Sequence, residues 1–229
     1  MATSVTRAGS PATTEAKVPS RVAAWAKAHR QWVAYGVVAL AVVAGFFVWN
    51  MLSLRTAERN AGRELEQARL ALASANPNYQ FAVSVLSKVI EQYAGTHAAA
   101  EASIVLAQAQ LAQGKSQQAI DILKQFAPDA GRDYQAQAYG LLGAAYENAA
   151  RPRDAADAYQ HAADAAQYPF RRAEFLSDAG RAWLAAGDTA EALAAYRTVV
   201  QKMDSTPALT EVKVRIGELT RGADIQARP

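Results

Sequence analysis

The chain has 229 residues, 51% of them hydrophobic, with only 13 Gly and 8 Pro, a composition that favours helix. It has no Cys, which excludes disulfides, thiolate metal sites, a Cys nucleophile and a lipid-modified Cys anchor; its three His (His29, His97 and His161) are scattered, so no metal motif is expected. The net charge of +3 divides unevenly: residues 1–31 hold five Lys/Arg and one Glu, whereas residues 32–229 hold 19 Lys/Arg and 20 Asp/Glu. A near-neutral body argues against nucleic-acid binding.

Residues 1–20 are rich in Ala, Ser, Thr and Pro without apolar periodicity, so 1–30 is expected to be a disordered basic tail. From Gln31 to Leu54 no residue is charged, a run of 24 positions. About 20 apolar residues suffice to cross a bilayer core. Trp32 and Tyr35 at one end and Phe46, Phe47 and Trp49 at the other make aromatic belts, so 31–54 reads as a transmembrane helix. Some 30 residues precede the run and no small-x-small site follows it at Asn50–Arg55, which favours a retained anchor over a cleaved signal. The tail cations (Arg7, Lys17, Arg21, Lys27, Arg30) nearly balance those beyond the span (Arg55, Arg59, Arg63, Arg69). The scarcity of acids in the tail tips the expectation to a cytoplasmic N-terminus. Ala41 and Gly45 form a small-xxx-small pair on which another helix can seat.

Beyond the span the chain repeats. Ala82, Ala119, Ala155 and Ala192 recur at 37, 36 and 37 residues; Leu86, Leu123, Tyr159 and Tyr196 keep the same spacing, as do Leu70, Ala107, Gly143 and Gly180. A two-helix period of this size is a solenoid signature. One unit reads Tyr139-x2-Leu142-Gly143-x2-Tyr146 then Ala155-x3-Tyr159-x2-Ala162, and the next ends its first helix on Gly180-x2-Trp183 and continues Ala192-x3-Tyr196. That is the tetratricopeptide pattern: small residues where helices touch and aromatics between units. Turns fall at Gly114-Lys115, Arg151-Pro152 and Gly187-Asp188. The expected fold is all-α: one transmembrane helix, then a repeat body at 55–221. Its helix pairs are placed at about 58–93, 98–127, 134–168 and 172–203, with a capping helix at 206–221 and a flexible tail at 222–229. The cap follows from Pro207 at a helix start and the stripe Leu209, Val212, Ile216 and Leu219.

Catalytic motifs are missing. Gly114-Lys115-Ser116 lacks the preceding Gly and strand of a phosphate loop, and neither a His-Glu-x-x-His nor a Gly-x-Ser-x-Gly segment occurs. Asp154, Asp157 and Asp164 share one helix face, which reads as solvated surface. No enzymatic activity, cofactor, metal or small-molecule substrate is expected. A binding surface is expected instead on the face lined by the first helices. Counting from Ala107, Gly143 and Gly180 places Glu101, Ile104, Gln108 and Leu111 inward, then Gln137, Gly140, Ala144 and Glu147, then Glu174, Ser177, Arg181 and Leu184. With one Arg in the set, a clamp for a C-terminal carboxylate is disfavoured, and an extended or helical protein segment with apolar content is favoured.

A single N-terminal span, a short tetratricopeptide body and the segment Asp204-Ser-Thr-Pro-Ala-Leu-Thr210 leading into an amphipathic helix resemble the ancillary subunit of the bacterial Sec translocon. The resemblance covers about residues 30–221, and Thr206–Leu209 is its most specific part. It implies an inner-membrane protein with a periplasmic repeat domain, associated with the translocon and a membrane-anchored periplasmic chaperone, without catalytic residues. A cell-envelope scaffold of Tol-Pal or division type, unrelated to secretion, is the alternative.

Overall fold

In the computed structural model Trp25 and residues 28–202 and 206–221 are described, so most of the expected N-terminal tail, the C-terminal tail and positions 203–205 lie outside the described residues. The chain divides into two compact units, Met1–Ser53 and Leu54–Pro229. Helix α1 covers Arg30–Ala73. Its apolar stretch makes it the one helix among the described residues that is long and apolar enough to cross a membrane, and that stretch is not buried within the protein. Ring pairs Trp32–Tyr35 and Phe46–Trp49 stand toward the two ends of the uncharged run, with centroids 6.5 and 6.3 Å apart.

The second unit is an all-helical solenoid. After the last turns of α1 come α2 (Tyr79–Gln92), α3 (His97–Ala112), α4 (Ser116–Phe126), α5 (Arg132–Asn148), α6 (Pro152–Ala165), α7 (Pro169–Ala185), α8 (Thr189–Lys202) and α9 (Ala208–Thr220), with a short 3-10 turn at Ala127–Asp129. The helix starts follow from local chemistry. Asn78 and Thr96 accept from the amides of Phe81 and Ala99 at 3.0 and 3.1 Å, and Asp188 accepts from Glu191 at 3.2 Å. Pro152 and Pro169 occupy first-turn positions, where no amide donor is needed. Glu58 of α1 accepts from the amides of His97 and Ala98 at 3.0 and 2.9 Å, so a carboxylate on the part of α1 that belongs to the second unit caps α3.

Three turns within helix pairs are copies of one another. The amides of Lys115, Arg151 and Asp188 each donate to a carbonyl five residues back, on Gln110, Tyr146 and Trp183, all at 2.9 Å. The residues before them, Gly114, Ala150 and Gly187, have φ of 73, 54 and 82°. This is a helix-ending motif that needs a left-handed residue, and Ala150 adopts it despite its Cβ.

Packing between the helices follows the small residues. A Cβ on Gly143 would lie 2.6 Å from Cε1 of Tyr159, and one on Gly180 would fall within 3.0 Å of the Tyr196 ring. Ala107, Ala155 and Ala192 are fully buried, Tyr159 and Tyr196 nearly so; Tyr146 is buried under the Arg151 guanidinium at 4.6 Å, and Trp183 is half-buried against the same core. The first pair differs. Its turn has five residues, 74–78, where the others have three, and this moves the small contact position from Leu70 to Ala68: Leu70 is 63% exposed and Ala68 is fully buried. The core forms two clusters, one ending at Leu106 and the other starting at Ala107, with Ile122 packed on both.

Candidate docking surfaces

First helices of neighbouring pairs touch, α3 with α5 and α7 with the cap α9, while the second helices pack mainly on their sequence neighbours. The solenoid therefore has an inner row of first helices and an outer row of second helices with gaps between them.

On the inner row the structure sorts the expected contact residues. Ile104 is a correction: it is 3% exposed, so it packs inside and cannot meet a partner. Its place in the repeat explains why, because the same position in the next unit, Gly140, lies against the Phe175 ring of the unit after. All four charged members are engaged within the protein, Glu174 with Arg171 at 3.0 Å on its own helix. Glu101 pairs with Arg69 of α1, and Glu147 receives the Tyr159 hydroxyl at 2.7 Å and Arg181 at 3.3 Å. Arg181 also pairs with Asp178 at 3.0 Å. Burial and the Glu147 carboxylate push the Tyr159 phenol well above its ordinary range, and burial raises Asp178 against the pull of Arg181. Gln108, Gln137 and Glu174 are exposed, while Leu111, Ala144, Ser177 and Leu184 are half-buried; Leu111 and Leu184 rest on the core. Glu101, Glu147 and Arg181 thus link one repeat to another.

Outer-row gaps were not anticipated, since missing bulk leaves no motif. Cavities of about 380 and 330 Å³ adjoin between α2 and α4 over α3, sharing Ile90, Ser103, Phe126 and Asp129. A cavity of about 240 Å³ between α4 and α6 is lined by Tyr139, Tyr146 and His161 with Lys124, Asp154 and Asp157. Another of about 470 Å³ between α6 and α8 holds Arg172, Lys202 and Asp164. Among the described residues no group of three or more His, Asp or Glu is placed to hold a metal ion.

No protein-family model matches the chain, and no curated protein matches it. Among solved structures it is similar to MamA, with 23% identity over 63% of this chain and 78% of that one and a TM-score of 0.49. It is also similar to the TPR-like repeats of a Podosopora anserina putative kinesin light chain, with 18% identity over 76% and 88% of the two chains and a TM-score of 0.48.

Proposed function

We propose that the chain is a membrane-anchored protein-docking module. Residues 31–54 hold it in a bacterial inner membrane with the N-terminus cytoplasmic and the repeat body periplasmic. There it serves as an ancillary subunit beside the Sec translocon and a membrane-anchored periplasmic chaperone. The observation that carries the docking role is the helix-pair solenoid, whose first helices align Gln108 and Gln137 in the open beside the half-buried Leu111, Ala144 and Leu184. Solenoids bind along such rows, where a few apolar anchors supply most of the energy. The uncharged helix supports the anchor, and the resemblance around Thr206–Leu209 supports the translocon as neighbour.

The test places a photo-reactive phenylalanine at Gln108 or Gln137 of the full chain in intact cells and identifies the adducts. Adducts to the translocon or its chaperone from these positions, and not from the outer-row position Asp157, are expected. Adducts from Asp157 alone would move the interface to the outer row. Adducts only to cytoplasmic proteins would reverse the topology.

A further inference from the structure

The gap between α2 and α4 differs in charge from the other two outer gaps. Its floor and walls include the half-buried apolar side chains Ile90, Ile122 and Phe126, and its rim carries Glu91, Asp129 and Asp133, with no Lys or Arg lining it. The α4–α6 gap sets Lys124 among its acids, and the α6–α8 gap contains Arg172 and Lys202. Among the described residues Glu91 and Asp129 make no ion pair, and Asp133 accepts only from the Gln167 amide at 3.3 Å. Burial and then the carboxylates of Glu101, Asp133 and Glu58 push the nearby Tyr134 phenol upward, against the pull of Arg69. Three carboxylates thus rim an apolar trough whose side chains stay partly hydrated until covered.

We propose that this gap is a second docking site, for a segment of a partner protein that combines an apolar anchor side chain with flanking Lys or Arg. The anchor covers Ile90, Ile122 and Phe126, and the cations meet Glu91, Asp129 and Asp133. Complementary charge of this kind governs which segment is accepted and how fast it arrives. The site lies on the outer row, so the inner row remains open to another protein. The proposal rests on the docking role argued above and extends it by naming a second surface and the chemistry that surface selects.

The probe is a short fluorescein-labelled peptide of alternating Leu and photo-Leu with Lys, read by anisotropy against the full chain in maltoside micelles, with empty micelles subtracted. Two control peptides keep the length: one replaces Lys by Glu, the other replaces the apolar residues by Ser. Only the Leu/Lys peptide is expected to bind, and its photo-adducts are expected on α2 or α4. Glu91→Lys with Asp129→Lys, both at exposed positions, is expected to weaken it by about tenfold or more while leaving helicity unchanged. Equal binding of the Glu or Ser peptide, unchanged affinity of the double variant, or adducts confined to the inner helices would each overturn the proposal. Such a failure, with photo-adducts from Gln108 and Gln137 still formed in cells, would leave the inner-row interface standing.

Discussion

Gly143→Ala adds one methyl at a close contact between α5 and α6. Its Cβ would meet Cε1 of Tyr159 at 2.6 Å, about 1 Å inside ordinary carbon contact. The ring has little room to yield, because Tyr159 is 4% exposed and its hydroxyl is fixed on Glu147, which also holds Arg181. Overpacking costs about 1–3 kcal/mol, and a strained hydrogen bond to a carboxylate adds about 1 kcal/mol. Replacing Gly inside a helix returns about 1 kcal/mol, so the net loss is about 2 kcal/mol. For a body of this size that lowers the Tm by about 4–8 °C, measured by far-UV circular dichroism on the full chain in detergent. Gly62→Ala is the control: nothing stands within 4 Å of its added Cβ, so only the propensity gain remains and the Tm rises slightly. A Gly143→Ala variant as stable as the parent would refute the close contact between α5 and α6.

Ala150→Gly is expected to stabilise the body by about 1 kcal/mol, since Ala150 holds φ of 54° at the place where two sister turns use Gly; a lower Tm would contradict the shared turn geometry. Gln110 is buried with Oε1 unpartnered among the described residues. Gln110→Met, similar in shape, is therefore expected to raise the Tm by the equivalent of about 1 kcal/mol, and denaturant titration checks it. The raised Tyr159 phenol keeps its proton in the folded chain after the unfolded chain has released it, from an ordinary value of 10.0. Its contribution is complete below about pH 10 and is lost as pH rises further. Tyr159→Phe removes part of that alkaline slope, and Tyr134, Tyr146 and Tyr196, also raised, contribute to it in the same direction.

Spacing alone carried the solenoid, because a helix pair must bury the same positions each time it recurs: Ala119, Ala155 and Ala192 are all fully buried. It failed where the period changed locally. Leu70 sits in the Ala107 column by counting, yet two extra residues in the first turn pass that role to Ala68. Helical spacing puts Ile104 on the inner face but does not reveal its burial: it is 3% exposed, and the equivalent Gly140 lies against the Phe175 ring of the following unit. The pairing of Glu147 with Arg181 joins residues 34 apart, and that of Glu101 with Arg69 joins residues 32 apart. A pattern can place each on a face but cannot say that they meet. The α2–α4 gap was invisible for a related reason: it arises from how far apart the second helices stand, which no single residue encodes.

The divided core bears on how the body comes apart. Leu106 and Ala107 are adjacent on α3 yet belong to different clusters, and among the described residues Ile122 of α4 packs on both. In a stacked array each element is stabilised mainly by its neighbours, so the weakest junction sets where cooperativity breaks. Amides of α2 should therefore exchange with deuterium as one group and those of α5 to α8 as another, with α3 as the shared hinge between the two populations. A segment bridging α2 and α4 would merge these populations into one, so occupancy there would be readable as a single exchange step without any label on the ligand.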